Sequence, residues 1–232
     1  MDQSILIGMI EHYSLYEINK LTDRFGLTDG VPKGVKPRFN ISPVQQAPVI
    51  VANGETTELL MMSYGLVPQG AKDANSVFRY KTFNVRSEKV FSKPTWENAV
   101  RAKRCIIPMN GFYMIRNMKD GDAYYFTLPS EELFGVAGIC ATWTDHEGVD
   151  RETYALLTID ASDAMPLPFA KMPVIIHDDD ETKWLDKRVS DFSSLVTMMR
   201  PYEGSVLSYR KVSRDVTSPK LDSSRLIESV RI

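Results

Sequence analysis

Short strand-like segments, separated by residues that favour turns, recur along nearly the whole chain. The clearest pair lies in "APVIVANGETTELLMMSYGLVP" (47–68), where Asn53-Gly54 is a strong signal for a hairpin turn. Helical patterns are few, and strands do not alternate with helices as they do in parallel-sheet folds. The pattern predicts one α+β domain over residues 1–232, with a mostly antiparallel sheet that curls toward a barrel and is flanked by helices.

Several elements can be placed from local signals. "ILIGMI" (5–10) predicts a first strand, and "LSYRKVS" (207–213) predicts a closing strand. Residues 14–26 predict a helix that starts at a Ser14–Glu17 capping box and ends at Gly26. Two later helices are predicted over the segments "DDETKWLD" and "DFSSLVTMMRP".

Charge and composition exclude several classes of protein. The net charge of -2 argues against a strongly basic nucleic-acid module, although it leaves room for a local basic groove. No apolar run approaches the roughly 20 residues of a membrane span, and the N-terminus lacks the features of a signal peptide. The chain has two cysteines, which are far apart and lack metal-ligand spacing. We expect a cytoplasmic monomer without a metal or another cofactor.

The acidic run "HDDDE" (177–181) allows two interpretations. Clustered carboxylates could hold a hard cation. Acidic residues also stabilise the N-terminus of a helix, where they interact with the helix dipole. Capping is the simpler interpretation, because the helix predicted directly after the run requires no other explanation for this composition.

A thiol–imidazole pair is a second candidate for chemistry. Cys105 and His177 could together form such a pair. However, Cys105 leads the apolar segment "CIIP", and Cys140 lies in "GVAGICATW". Free cysteines are among the most buried residues, so these contexts favour packing over catalysis.

Several segments together resemble the SRAP family of SOS response-associated peptidases and abasic-site-processing proteins. The segments occur in the family's order and span nearly the whole chain. They are "RFNISP" (38–43), "MMSYGLVP" (61–68), "FNVRSEKV" (83–90), "KRCIIPMNGFYMI" (103–115) and "YALLTIDASDAMPLPFAKMPVII" (154–176), followed by "TKWLD". The resemblance implies the family's fold.

The resemblance also implies a function. Family members bind single-stranded DNA in a positively charged groove and capture the aldehyde of an abasic site. They use an N-terminal cysteine, whose thiol and α-amine close a thiazolidine ring on the sugar. A glutamate and a histidine assist that reaction, and asparagines position the cysteine and the sugar.

At the N-terminus, the family's M-C-G-R start resembles "LIGMI" in this chain. On that match Gly8 stands for the glycine, Ile7 for the cysteine and Met9 for the arginine. Position 7 therefore offers no thiol and, with six residues before it, no free α-amine. Cys105 and Cys140 carry amide nitrogens and cannot replace it.

The family's glutamate position is occupied by Met114 and its histidine position by Phe169. Neither side chain can transfer a proton. Three neighbouring family positions also differ, with Ile115 for tryptophan, Asn110 for aspartate and Lys171 for arginine. The sequence thus predicts a homologue with no catalytic residues at these positions, although the active reaction of the family remains the alternative.

Four residues match family positions that line the DNA groove, namely Asn40, Tyr64, Asn84 and Arg86. We expect Arg86 to hold a phosphate and Tyr64 to stack on a base. Each also has a structural interpretation. The two asparagines could bond to local backbone in turns, Arg86 could pair with Glu88, and Tyr64 could pack within a strand.

Three functions follow from this comparison. The one we favour is non-covalent binding of single-stranded DNA, aided by a set of basic residues, Arg79, Lys81, Lys89, Lys93, Arg101, Lys103 and Arg104. The second is abasic-site processing as in the family. The third is a protein-interaction role that reuses a former pocket lined by Ile7, Met9, Met114, Ile115 and Phe169.

Overall fold

The computed structural model describes residues 10–68, 70–116, 121–202 and 206–230, which form an α+β fold. Its helices are short: α1 (Leu21–Phe25), α2 (Ser76–Tyr80), α3 (Pro94–Ala102), α4 (Asp178–Leu185) and α5 (Phe192–Met198). Its strands are β1 (His12–Leu15), β2 (Arg38–Ile41), β3 (Gln46–Asn53), β4 (Thr56–Tyr64), β5 (Asn84–Arg86), β6 (Arg104–Met109), β7 (Gly111–Ile115), β8 (Ala123–Thr127), β9 (Phe134–Thr144), β10 (Asp150–Asp160), β11 (Lys171–Pro173) and β12 (Ser208–Val212).

Five of these strands close into a barrel. The strand β3 pairs with β4 and β6, β6 pairs with β9, and β9 pairs with β10, all antiparallel. A parallel pairing of β10 with β4, in which Tyr154 lies opposite Tyr64, completes the ring. The prediction of a mostly antiparallel sheet that curls toward a barrel is therefore confirmed.

The other sheet has the strand order β12-β8-β7-β1-β2, and each neighbouring pair is antiparallel. The first residue of the strand β7 is Gly111. A side chain does not fit at this position, because a Cβ atom there would lie 2.4 Å from the ring of Tyr125. Buried side chains such as Tyr13 and Phe112 from this sheet join the same apolar core as Tyr64 and Tyr154 from the barrel. The two sheets thus enclose one continuous core.

Two short strands extend the barrel along the far half of β10. On one side β5 runs parallel to it, with Asn84 opposite Leu156 and Arg86 opposite Thr158. The strand β11 pairs with it antiparallel, with Asp160 opposite Lys171. These additions bring the family-like segments "FNVRSEKV" and "FAKMP" to the same end of β10.

The N-terminal helix prediction is wrong in its first half. Ser14 lies inside β1 rather than in a capping box, and the α-helix covers only Leu21–Phe25. Ser14 adopts a strand conformation because β1 pairs with both β2 and β7. The hydrogen bonds and packing of these two pairings outweigh the local preference of the sequence for a helix cap. The predicted stop at Gly26 is confirmed, since its φ is 60°. Of the strand predicted over 5–10, residues 5–9 lie outside the described residues.

Other local predictions are confirmed. The β3–β4 hairpin turns at Gly54, whose φ of 65° suits glycine, and the two late helices and the closing strand are present. The acidic run opens α4, and its carboxylates pair with Arg24 and Arg200. Within the described ranges, no helix is long and apolar enough to cross a membrane.

Candidate functional site

The side chains of Asn84 and Tyr64 hold the main chain of Ile10. The Asn84 amide nitrogen donates to the Ile10 carbonyl at 2.7 Å, and the Asn84 amide oxygen accepts from the Ile10 N–H at 3.2 Å. The Tyr64 hydroxyl donates to the same carbonyl at 2.7 Å. We call this arrangement the residue-10 clasp. Because its three hydrogen bonds use only backbone atoms of Ile10, they do not depend on the side chain at that position.

Tyr64 is packed in the interior. Its exposed fraction is 0%, its ring stacks on Tyr154 at a centroid distance of 5.2 Å, and it meets Tyr13 edge-on. Burial is the main reason that the pKa of its hydroxyl is raised. The expectation that Tyr64 stacks on a base is not supported by this position, which matches the alternative of a packed strand residue.

Asn40 is also buried, with an exposed fraction of 0%. Its amide nitrogen lies 3.0, 3.0 and 2.9 Å from the carbonyls of Val216, Ser218 and Leu221, and its amide oxygen lies 2.7 Å from the imidazole Nδ1 of His12. All its hydrogen-bonding capacity is therefore used inside the protein. Asn40 anchors the C-terminal segment, so its predicted contact with nucleic acid must be dropped.

Arg86 is the member of the predicted set that faces solvent. It lies two residues after Asn84 in β5, so both side chains point to the same face, while Val85 between them is buried. Among the described residues Arg86 has no hydrogen-bond or ion-pair partner, because Glu88 instead contacts Lys171 at 2.6 Å. The alternative that Arg86 pairs with Glu88 is not observed. Its guanidinium is free to bind an anion.

The two positions that match the family's glutamate and histidine are filled by packed apolar side chains. Met114 has an exposed fraction of 0% and lies opposite Tyr124 across the β7–β8 pair. Phe169 has an exposed fraction of 3% and meets Tyr124 and Phe126 edge-on. Both side chains therefore belong to the core, whereas the third predicted function needs them to line an open pocket.

The remaining residues at family positions have structural contacts or lie outside the description. Asn110 is buried, and its amide oxygen accepts from the backbone N–H groups of Tyr16 and Glu17. Ile115 is buried in β7. Ile7, Gly8 and Met9 lie outside the described residues.

Two charged side chains border the residue-10 clasp. Burial raises the pKa of the Glu11 carboxyl, and the nearby Lys81 ammonium opposes that rise. The Glu11 carboxylate also contributes to the raised pKa of the Tyr64 hydroxyl. Lys81 ends α2 with a φ of 50°, a left-handed conformation that is uncommon for residues other than glycine. A carboxylate from Glu11 and an ammonium from Lys81 are thus charged groups near the clasp.

The predicted basic set divides into structural and exposed members. Arg104 is buried, and its guanidinium donates to the main-chain carbonyls of Val100, Arg101, Trp184 and Asp186. Burial lowers the pKa of Arg104 to about 10. Because it holds α3 and the end of α4 to the barrel, its predicted role in binding nucleic acid is wrong.

Arg101 already has an ion-pair partner, since its guanidinium lies 3.0 Å from the Glu97 carboxylate. The Lys103 ammonium donates to the Thr142 hydroxyl at 3.1 Å. The other four members of the set are exposed, namely Arg79, Lys81, Lys89 and Lys93. The positive surface is therefore narrower than the sequence predicted.

A groove of about 520 Å³ is lined in part by Thr82, two residues before Asn84 of the clasp. Leu66 and Thr82 form part of its wall, and Tyr80, Trp96 and Lys93 line it. The Lys93 ammonium lies 4.4 Å from the centre of the Trp96 ring. The groove continues along α2 past Lys72, Asp73 and Arg79. We call it the basic groove. Aromatic rings interleaved with cations are typical of surfaces that bind single-stranded nucleic acid.

The alternative chemistries are not supported by their geometry. Cys105 and Cys140 are both buried free thiols in neighbouring strands, as the packing interpretation predicted. His177 stacks on Tyr202 instead. In the described part of the chain, no three His, Cys, Asp or Glu side chains are grouped so that they could hold a metal ion. The acidic run stands in the first turn of α4, where negative charge suits the helix dipole, but no side chain caps this helix with a hydrogen bond.

Four residues near these surfaces carry no predicted site role, namely Glu11, Tyr80, Trp96 and Tyr209. Tyr80 and Trp96 could have been noticed, because each lies within one to three residues of a lysine or arginine in the predicted basic set. Glu11 gives no signal, since its burial depends on strands far away in the chain. Tyr209 directly precedes two basic residues in "SYRKV", which is a weak signal for an exposed aromatic on a strand.

Comparison with known proteins gives consistent matches. The sequence profile of the SOS response associated peptidase (SRAP) family matches residues 9–219. The abasic site processing protein YoqW of Bacillus subtilis is 31% identical over 225 residues, which cover 95% of this chain and 100% of that protein. The abasic site processing protein HMCES of Gallus gallus is 27% identical, with 85% of this chain and 67% of that protein covered.

Solved structures share the fold. A protein from Bacteroides thetaiotaomicron superposes with a TM-score of 0.80 at 22% identity, covering 95% of this chain and 99% of the other. A protein from Bordetella bronchiseptica superposes with a TM-score of 0.72 at 23% identity, covering 88% and 99%. At these identities the likeness concerns the architecture alone.

Proposed function

The chain belongs to the SOS response associated peptidase family, and on that premise we propose that it binds single-stranded DNA without forming a covalent bond to it. Its relatives are named for processing abasic sites, so DNA is the natural ligand class. The observation that carries the proposal is Arg86. It presents an exposed guanidinium, unpaired among the described residues, on the same face as Asn84 and the residue-10 clasp.

The covalent part of the family's reaction has no residues to perform it. Met114 and Phe169 replace the carboxylate and the imidazole, and both are buried. The two cysteines of the chain, Cys105 and Cys140, lie in mid-strand and cannot supply a terminal amine beside a thiol. Of the two steps in the family's reaction, we therefore propose that this protein keeps DNA binding and lacks the formation of a covalent bond.

We further infer that Ile10, rather than Ile7, occupies the place of the family's cysteine. Asn84 matches a family asparagine that positions the cysteine, and in this fold Asn84 holds the main chain of residue 10. The family profile begins to match at residue 9, one position earlier. Neither isoleucine has a thiol, so the proposal of a non-covalent role is the same on both assignments.

The positions of the exposed cationic side chains suggest a path for single-stranded DNA across the protein surface. Thr82 lies in the turn two residues before β5, and Asn84 and Arg86 are the first and last residues of that strand. The basic groove begins at Thr82, the residue-10 clasp lies at Asn84, and the free guanidinium lies at Arg86. A phosphate backbone along this line would contact Arg86 at one end and Lys93 or Arg79 at the other, while bases stack on Tyr80 and Trp96.

Fluorescence anisotropy with a labelled single-stranded oligonucleotide tests the proposal. We expect a complex with a dissociation constant in the micromolar range or weaker, which dissociates steeply as salt rises from about 50 to about 200 mM. The variant Arg86→Ala should weaken binding and reduce the slope of log K against log salt by roughly 0.7, the contribution of one phosphate contact on a single strand.

Arg188→Ala is the matched control, because Arg188 is exposed but already paired with Asp186. We expect it to leave affinity and slope unchanged. In parallel, incubation with abasic single-stranded DNA followed by denaturing electrophoresis should show no adduct. Absence of any complex at low salt, or a covalent band, would overturn the proposal.

A further inference from the structure

Three aromatic rings form a row across three neighbouring strands. Phe112 in β7 lies opposite Phe126 in β8, and Phe126 lies opposite Tyr209 in β12. The ring centroids are 5.4 Å apart in the first pair and 5.9 Å in the second, with interplanar angles of 13° and 25°. We call this row the aromatic ladder. It leads from the core to the edge of the sheet.

The outer rung of the ladder is open to solvent. Phe112 and Phe126 have exposed fractions of 0%, whereas that of Tyr209 is 47%. One face of the Tyr209 ring packs on Phe126, and β12 has a paired strand only on its β8 side. The other face of the ring therefore has no neighbouring strand in the described part of this sheet.

The ladder adjoins the position that matches the family's histidine. Phe169 meets Phe126 edge-on at 5.9 Å and Tyr124 at 6.4 Å, and Tyr124 in turn meets Tyr209 at 6.1 Å. At the position of a proton-transferring side chain, Phe169 packs on Tyr124 and Phe126, the two rings that contact Tyr209. This surface offers nothing to an aldehyde, but it offers a rigid, amphipathic aromatic face.

A cation lies on the same face of β12. Lys211 follows Tyr209 by two residues, so their side chains point to the same side of the strand. Its ammonium is 2.8 Å from the Asp122 carboxylate, and its side chain is partly exposed. A phosphate next to a base stacked on Tyr209 would share this ammonium with the exposed Asp122 carboxylate, so we expect most of the binding at this place to come from the ring. Ring and cation together match one nucleotide of a single strand.

We propose that Tyr209 is a stacking platform for an unpaired base, so that this protein prefers intact single-stranded DNA over a strand from which bases are missing. The inference rests on the proposed DNA-binding function and reverses the preference that the relatives' names imply. Base–aromatic stacking is sequence-tolerant, since every base has a π-face. No preference among the four bases is therefore expected.

Competition binding tests the preference directly. The two strands are an oligothymidylate and the same strand with tetrahydrofuran abasic analogues at its central positions. We expect the intact strand to bind on the order of 10-fold more tightly, as one stacking contact provides. Tyr209→Ala should weaken binding of the intact strand, reduce the preference by the contribution of one stacked base, and leave the affinity for the analogue strand unchanged, while any remaining preference comes from bases stacked on Tyr80 and Trp96. Phe192→Ala, which removes an aromatic on α5 that is 57% exposed against 47% for Tyr209, should keep the preference.

Tyr209→Trp provides a second readout. The new indole should preserve the preference, and its fluorescence should be quenched by the intact strand but not by the analogue strand. Equal affinity of the unmodified protein for both strands would overturn the stacking platform while leaving DNA binding intact. Equal weakening of both strands by Tyr209→Ala would overturn it as well. Failure of either strand to bind would instead remove the proposed function on which it rests.

Discussion

The side-chain amide of Asn84 makes both of its hydrogen bonds to a single residue, Ile10, accepting from its N–H and donating to its carbonyl. A free α-amine at position 10 could use the same acceptor, while an amide nitrogen uses it here. On the proposed assignment of Ile10 to the family's cysteine position, the clasp preserves the placement of the main chain there, although an isoleucine cannot react.

Removal of the Asn84 amide should destabilise the fold. Asn84→Ala leaves the Ile10 N–H without its acceptor, and the Ile10 carbonyl keeps only the Tyr64 hydroxyl. We expect a loss of about 1–3 kcal/mol in the free energy of unfolding, measured by urea titration. Asn98→Ala in α3 is the control, because Asn98 is exposed, and it should stay within about 0.5 kcal/mol. Equal effects of the two variants would contradict the clasp.

The Glu11 carboxyl should make stability depend on pH. Its pKa in the folded protein is raised, chiefly by burial, so the native state holds the proton more tightly than the unfolded chain. Stability is therefore fullest below the ordinary pKa and declines as pH rises through the raised value. Glu11→Gln should match the unmodified protein in acid and exceed its stability at neutral pH. Urea titrations from acid to neutral pH measure this difference. Glu55→Gln is the control, because Glu55 is exposed. If the two variants showed the same pH dependence of stability, the effect assigned to the Glu11 carboxyl would be wrong.

Arg104 should be essential for folding but irrelevant to DNA. Arg104→Lys replaces a guanidinium that reaches four carbonyls by an ammonium with three donors, so at least one buried carbonyl loses its partner. We expect a loss of about 2–4 kcal/mol in the free energy of unfolding. Lys103→Ala next to it should be nearly neutral. If folded Arg104→Lys protein lost its affinity for DNA with unchanged stability, the structural role would be wrong.

If the substitutions at three family positions cause the proposed lack of reaction with abasic DNA, restoring those positions should restore the reaction. A chain that starts at Met9 and carries Ile10→Cys, Met114→Glu and Phe169→His should form an adduct with abasic single-stranded DNA that survives denaturing electrophoresis. The same chain without Ile10→Cys should form none.

A companion variant that starts directly before position 7 and carries Ile7→Cys discriminates the two N-terminal assignments. An adduct from this companion, and none from the chain with Cys at position 10, would show that Ile7 occupies the position of the family's cysteine. The residue-10 clasp would then not mark that position.

Signals that act over a few residues could be read from the sequence. The Asn53-Gly54 turn, the acidic start of α4 and the end of α1 at Gly26 each depend on local backbone geometry or charge, and each is where it was predicted. Ser14 shows the limit of such signals. Its capping pattern is locally sound, but two partner strands from distant parts of the chain override it.

Burial of polar residues could not be predicted in the same way. Asn40 and Arg104 match polar positions of the kind that line a groove, yet each is enclosed by carbonyls that are distant in sequence or belong to another element. Arg86 resembles them in sequence and differs only in what surrounds it. A residue-by-residue resemblance transfers the location of a side chain, whereas its partners are known only from the fold.

The amide of Asn40 finds its three acceptors at Val216, Ser218 and Leu221, which the ribosome adds more than 170 residues after β2. The β3–β4 hairpin can form as soon as it emerges, because its contacts are local. The five-stranded sheet cannot satisfy this buried amide until translation is almost complete. A pause or truncation late in synthesis should therefore leave a formed hairpin beside an unfinished sheet, exposed to chaperones and proteases.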